Sequence, residues 1–321
     1  MKKQIGFICF SAALILFTTY IALDTFVIRT VYDSNATEIN ASMFPELIDR
    51  TAVPGSEPTP GIVPGDPDDP DSTAAPEVTP YSDENTYIDQ NISIVLTEYE
   101  EYGTAIYVAD VRLSSAAYLK TAFAKDKYGR NITETTSNIA RTKNAILAVN
   151  GDFYGAQQKG YVIRNGIVYR DSAKGSDVLC IYADGTMEVV SDRDYKAEEL
   201  VERGVWQAFT FGPALLEDGG ICVGKNDEVD VALASNPRTA LGVIEPNHFV
   251  FVVSDGRTSE SDGLTLYELA RFMQGLGVKT AYNLDGGGSS TMYFNGRVVN
   301  NPTSGRVIKE RKVSDIVYIG A

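Results

Sequence analysis

One stretch constrains this chain more than any other: Tyr282-Asn283-Leu284-Asp285-Gly286-Gly287-Gly288-Ser289-Ser290-Thr291. A short apolar run, residues 278–282, enters it; Met292-Tyr293-Phe294 leaves it, and Asn295-Gly296 then turns the chain back. Three successive glycines make a poor core element, because glycine has the most backbone entropy to lose and no side chain to bury. They suit a place where backbone approaches a ligand closely, or where successive N–H groups face an anion. A glycine-rich turn between two strands is the competing reading. Asp285 stands at the mouth of the loop, and hydroxyls follow at Ser289, Ser290 and Thr291.

The composition narrows the chemistry. A net charge of −15 argues against a nucleic-acid partner, which needs a basic footprint. The chain has one histidine, so no histidine-rich zinc site can form, and a Ser-His-Asp triad would have to use His248. That residue, in Glu245-Pro246-Asn247-His248-Phe249, reads as a surface turn residue. Of the three cysteines, Cys9 lies in an apolar leader, Cys180 reads as a buried thiol, and a Cys180–Cys222 bridge is left open.

Lys2 and Lys3 precede an uncharged run at residues 5–23, about long enough to span a bilayer as a helix. No small-residue cleavage site follows Leu23, which favours an uncleaved signal-anchor over residues 1–28, with the bulk of the chain outside the cell. Residues 29–86 read as a juxtamembrane segment and a Pro/Asp-rich linker. Eight of the 13 prolines fall between Thr51 and Pro80, so this stretch cannot build helix or central strand and reads as a disordered, extended spacer.

The folded domain is expected over residues 87–321. Apolar β-branched runs at 91–98 and 104–113 predict a hairpin, and Asn165-Gly166 and Asp184-Gly185 mark two more. Residues 114–125 and 137–144 read as short helices, the second capped by Ser137. The best helix is 265–275, where Leu266, Leu269, Ala270 and Met273 form an apolar stripe and Glu268 falls nearly opposite. The pattern predicts an α+β fold: a mixed, partly antiparallel central sheet with few helices, after an N-terminal transmembrane helix and the disordered linker.

Polar loops recur at strand ends: Asn150-Gly151-Asp152, Pro237-Arg238-Thr239, Ser254-Asp255-Gly256-Arg257 and Asn283-Leu284-Asp285-Gly286. A sheet can gather such loops at one edge, where ligands bind. Singly they are ordinary turns, and Asp255-Gly256-Arg257 reads as solvated loop. Carboxylates, Asn, Arg and glycine-rich backbone, with no usable histidine or cysteine, suit attack at a sugar carbon beside an anionic group.

Taken in order, Asn150-Gly151-Asp152-Phe153-Tyr154, Arg238-Thr239-Ala240, Asp255-Gly256-Arg257, Gly263-Leu264-Thr265-Leu266-Tyr267-Glu268-Leu269-Ala270 and the glycine stretch resemble the phosphodiester glycosidase family. The resemblance runs from about residue 119 to the C-terminus. It implies hydrolysis of the anomeric C–O bond of a sugar 1-phosphodiester. It also implies Asp285 as the carboxylate at the anomeric centre, with Glu268 and Asp255 as alternatives. Arg238 would hold the phosphate, and Asn150, Thr239, Asn283, Gly286, Gly287, Gly288 and Ser289 would bind or orient substrate. No cofactor is required; Ca²⁺ in an aspartate-rich loop is the one metal alternative. Anchor, spacer and few cysteines suggest a bacterial cell-surface protein acting on a phosphodiester-linked wall polymer or exopolysaccharide. A non-catalytic carbohydrate-binding module and an exopolysaccharide assembly factor are the rival readings; convergent carboxylates beside an arginine would favour the enzyme.

Overall fold

Valine and phenylalanine crowd the strand His248–Ser254, and all of its residues are buried. A run apolar on both faces belongs in the middle of a covered sheet. In the computed structural model, which describes residues 2–34, 38–44, 78–225, 227, 235–305 and 307–320, it pairs along its length with Thr239–Glu245 and Thr104–Leu113. These strands lie centrally in a nine-stranded sheet that Thr280–Asn283 extends on one side and Ile92–Glu101 on the other. The Ile92–Glu101/Thr104–Leu113 hairpin is the one expected from sequence.

One face of this sheet carries the helix Leu266–Gly275. Leu266, Leu269, Ala270 and Met273 are buried there with Ala240, Val250, Val252 and Ala281. Each larger side chain contributes about 1.5–3 kcal/mol relative to exposure. The opposite face stacks on a five-stranded sheet centred on Leu147–Asn150 and Asp315–Ile319. Leu147, Val149, Met292, Phe294 and Val317 share one core with Leu241, Phe251 and Tyr282. A third sheet holds Val162–Arg164 and Val205–Phe209. Every strand pairing among the described residues is antiparallel, so the α+β expectation holds with more uniform pairing than foreseen.

This layering explains the glycine stretch. The chain leaves the large sheet after Thr280–Asn283 and enters the second sheet at Met292–Phe294. The intervening loop crosses between two packed layers, where backbone lies tightly on backbone.

Several expectations are corrected. Residues 114–125 are not a helix: Leu119–Phe123 is a strand paired with Asp315–Ile319, flanked by single 3₁₀ turns at Ala116–Tyr118 and Ala124–Asp126. Long-range pairing in a buried sheet overrides local helix propensity there. The second short helix forms as Thr136–Thr142, but Thr135 rather than Ser137 caps it. His248 is no solvated turn; it opens a strand, is 5% exposed, and its Nε2 lies 2.9 Å from Asp110 Oδ2. Cys180 is buried and Cys222 exposed, both as free thiols, and burial pushes the Cys180 thiol up to about 12.

The leader forms a helix, Lys2–Phe26. The structure does not support the expected membrane span, because among the described residues no helix is long and apolar enough to cross a bilayer. The stretch after the leader, expected as juxtamembrane segment and linker, partly joins the domain. Thr30–Asp33 pairs with Tyr128–Arg130, and Phe44 is buried edge-on against Trp206 with ring centroids 4.8 Å apart. The proline-rich part, residues 45–77, lies outside the described residues.

Candidate active site

Asn150 ends a strand of the second sheet and Asn283 ends a strand of the large one. The Asn150 amide donates from Nδ2 to the Asp285 carbonyl at 2.6 Å. Its Oδ1 accepts from Thr239 Oγ1 at 2.9 Å and from the Thr291 N–H at 3.3 Å. One buried amide therefore ties both ends of the glycine loop to the neighbouring strand, and Thr239 belongs to the same network. Asn283 Nδ2 donates to the Gly212 carbonyl at 2.8 Å, and the Gly287 N–H donates to the Pro237 carbonyl at 2.7 Å. A Cβ on Gly286 would lie 2.9 Å from that same carbonyl, so only glycine lets the loop lie so close. The hydroxyls of Ser290 and Thr291, both buried, have no hydrogen-bond partner among the described residues.

Asp285 is half-buried beside a cavity of about 170 Å³ lined also by Asn131, Gly151, Phe153, Lys312 and Ser314. Burial pushes its carboxyl up to about 6, against the downward pull of the Ser289 hydroxyl, the Arg311 guanidinium and the Gly286 N–H. The usual value for an exposed aspartate is about 3.9. Asp285 is thus a carboxylate short of solvation, at the edge of a void and beside a cation. Phe153 stands at that cavity exposed, with its backbone in the left-handed region (φ 65°). A bulky residue rarely adopts that conformation, and such strain concentrates at working sites.

Beneath the cavity lies an ion network that sequence reading missed. Arg164 is 1% exposed; its Nη2 reaches Asp152 Oδ1 at 2.9 Å and Asp315 Oδ2 at 2.8 Å. The Thr210 N–H donates to Asp152 Oδ2 at 2.9 Å. Gly151 sits directly over Asp315, since a Cβ there would fall 2.1 Å from Asp315 Oδ1. Burial raises the Asp315 carboxyl, with Arg164 pulling it back. The network fixes the floor on which Gly151 and Asp285 meet, where the Asp285 N–H donates to the Gly151 carbonyl at 3.3 Å.

The other two carboxylates are committed elsewhere. Glu268 caps the helix Leu266–Gly275: its Oε2 accepts from the N–H and the Oγ1 of Thr265, both at 2.9 Å. Asp255 is buried and accepts from the Asn301 N–H at 2.8 Å, and from Asn300 Nδ2 and Asn301 Nδ2 at 3.1 Å each. Asn300 in turn donates to the Ser290 carbonyl and accepts from the Met292 N–H, so Asp255 braces the far end of the glycine loop. Arg238 is buried, with its N–H on Ser254 Oγ at 3.0 Å and its Nε on the Leu264 carbonyl at 2.8 Å.

Arg238 stays beside the loop, its Cα 3.8 Å from where a Cβ on Gly286 would stand, and two further arginines not assigned from sequence flank the next two glycines. A Cβ on Gly287 would lie 3.0 Å from Arg257 Nη2, and one on Gly288 would lie 2.7 Å from Arg311 Nη2. Arg257 was legible only as part of a turn-like Asp-Gly-Arg; Arg311, in Lys309-Glu310-Arg311-Lys312, has no local signature. Among the described residues no group of three or more His, Cys, Asp or Glu is placed to hold a metal ion, so the Ca²⁺ alternative gains no ligand set.

The phosphodiester glycosidase family model matches residues 143–320, more than half of the chain. The chain belongs to the phosphodiester glycosidase family. It is 29% identical over 198 residues to the SPbeta prophage-derived uncharacterized protein YomE of Bacillus subtilis (strain 168), covering 60% of this chain and 30% of that one. It is 27% identical over 194 residues to the N-acetylglucosamine-1-phosphodiester alpha-N-acetylglucosaminidase of Bos taurus, covering 53% of this chain and 35% of that one. The chain therefore spans about a third of the length of these relatives. Its fold is similar to the zebrafish N-acetylglucosamine-1-phosphodiester alpha-N-acetylglucosaminidase catalytic domain auto-inhibited by pro-peptide. That likeness has a TM-score of 0.57 at 21% identity, over 72% of this chain and 83% of that one.

Proposed function

We propose that the chain hydrolyses the anomeric C–O bond of a sugar 1-phosphodiester, with Asp285 as the carboxylate that acts at the anomeric centre. One observation carries this reading: Asp285 is a poorly solvated carboxylate facing a partly open cavity, on a glycine loop flanked by guanidinium groups. The sugar ring would occupy the cavity, with Phe153 as an apolar wall. The C1–O bond to phosphate breaks and its electron pair leaves on the bridging oxygen. Water then supplies oxygen to C1, and its proton passes to a carboxylate or to solvent. The phosphate leaves as a stable anion, so the site needs little help from a general acid. It needs a negative group near the oxocarbenium-like centre and positive groups near the departing phosphate.

The relatives named for N-acetylglucosamine-1-phosphodiester support that substrate class. We place the domain outside the cell, with a phosphorylated surface or extracellular polysaccharide as substrate. The basic, apolar leader and the proline-rich stretch after it support that placement. The test is incubation of the full chain with an N-acetylglucosamine 1-phosphodiester in H₂¹⁸O. Release of ¹⁸O-labelled sugar, lost in Asp285→Asn, is expected. Label in the phosphate instead would mean P–O cleavage and sink the reading.

A further inference from the structure

The guanidinium groups of Arg257 and Arg311 lie where side chains on the successive glycines Gly287 and Gly288 would point, close enough for their charges to interact. Arg257 carries a left-handed backbone (φ 63°), an uncommon state for a long side chain. Its guanidinium is fixed by Asn236, whose Oδ1 accepts from Nε at 3.0 Å and from Nη2 at 2.7 Å. The Arg311 backbone N–H donates to the Gly288 carbonyl at 3.2 Å, which holds that residue over the loop. The Arg257 guanidinium is thus held by a side-chain contact, and Arg311 is held over the loop through its backbone.

Neither guanidinium has a carboxylate within ion-pair distance among the described residues, although other arginines do, as Arg164, Arg112 and Arg203 show. This is notable in a chain with 43 acidic and 28 basic side chains, where carboxylates are in surplus. Burial and the nearby Arg311 charge both push the Arg257 guanidinium down. Two like charges held together, with the Asp285 carboxylate near Arg311 but not in ion-pair contact, favour a bound anion. A Cβ at Gly287 or Gly288 would fill the space against these guanidinium groups, so the glycines keep it open.

We propose that Arg257 and Arg311 form a paired clamp for the phosphate leaving group, matched to its charge after bond cleavage. This rests on the hydrolase reading above. A phosphodiester carries one negative charge; when C1–O breaks with its electron pair on oxygen, the departing phosphomonoester carries two. Two guanidinium groups therefore attract the leaving group more strongly as cleavage proceeds than they attract the substrate, which is transition-state stabilisation. The clamp takes the place of a general acid at the bridging oxygen. Its chemical preference is for phosphomonoester dianions over neutral or monoanionic sugars, so the released phosphomonoester should be a competitive inhibitor.

The test has two independent readouts. Binding of methyl phosphate and of inorganic phosphate to the full chain is measured by calorimetry at low and high salt, for wild type, Arg257→Ala, Arg311→Ala and the two Arg→Lys variants. In parallel, kcat and KM are measured on a sugar 1-phosphodiester. Each Arg→Ala change should weaken phosphate binding at least tenfold. Each should also lower kcat by about 10²-fold, the order found for loss of one preorganised donor, with a smaller effect on KM. Lysine should restore part of both. Phosphate binding that is lost in the alanine variants supports the clamp even if no diester tested is hydrolysed, in which case the hydrolase reading alone fails. Failure of wild type to bind millimolar methyl phosphate, or unchanged binding in both alanine variants, overturns the clamp. A fall confined to KM would overturn its leaving-group role. Both side chains are exposed, and unchanged melting temperatures would confirm that the variants fold.

Discussion

Asp285 and Asp255 stand at opposite ends of the glycine loop and have opposite surroundings. Asp255 is buried, yet three N–H donors from Asn300 and Asn301 reach its carboxylate. Asp285 is less buried, yet desolvation outweighs the donors near it, and its carboxyl rises to about 6. The contrast shows that burial alone does not mark a reactive carboxylate. What marks it is loss of solvent without full replacement by protein donors, next to space that a substrate can occupy. Glu268 sides with Asp255, because both of its contacts serve the helix cap.

The largest expected effect falls on Asp285. Asp285→Asn should lower kcat/KM by about 10³-fold or more, as for a carboxylate acting at the reacting centre. The same change should raise stability at neutral pH. The folded carboxyl sits near 6 and the unfolded one near 3.9, so the native state binds the extra proton between these values. Stability from this group is present below about pH 4 and is lost as pH rises through about 6. Melting curves at pH 4 and pH 8 should therefore show Asp285→Asn gaining on wild type only at the higher pH. A variant that loses both activity and stability at pH 8 would place Asp285 with the structural carboxylates.

Arg164→Met comes next. It leaves Asp152 and Asp315 buried beside each other without their cation, at a cost of about 3–5 kcal/mol in denaturant unfolding. Little loss would mean that the floor of the cavity does not depend on this network.

The pH–rate profile is a smaller effect. With Asp285 acting ionised, kcat/KM should rise through an apparent value near 6 and then level. A fall above that value would instead assign Asp285 the role of proton donor.

Asp255→Asn should cost about 1–3 kcal/mol of stability while leaving kcat within about tenfold of wild type, because it removes donors' partners and not a reacting group. Glu268→Ala should cost only about 1 kcal/mol, the worth of a cap, with kcat/KM unchanged within about twofold. A 10³-fold loss in either variant would break the comparison between the two ends of the loop.

Much of the domain was legible locally. Asn165-Gly166 forms its hairpin with both residues in the left-handed region, because the turn needs positive φ and these residues tolerate it. The helix after Thr265 was visible as an apolar stripe behind a hydroxyl and a glutamate three residues on, a capping box in which the hydroxyl accepts from the Glu268 N–H. Leu119–Phe123 was misread because its strand depends on Asp315–Ile319, nearly two hundred residues away, and no local pattern carries that partner. Among site residues, Asp285, Asn150, Thr239, Asn283 and the glycines come together at one loop, as their ordered motifs implied. Arg164, Asp315 and Arg311 were silent, since an isolated arginine or aspartate in a strand or loop looks the same whether it is solvated or buried.

Sequence by itself determined which backbone could bend: three glycines, a leading aspartate and a lone histidine set the loop and restricted the chemistry to carboxylates. Only the tertiary structure decided which carboxylate is starved of solvent and which cations stand beside the glycines. Those properties come from distances between residues far apart in the chain. Asn150 meets Asp285, Asn300 meets Asp255 and Arg311 meets Gly288 only once two sheets have packed and the loop has crossed between them.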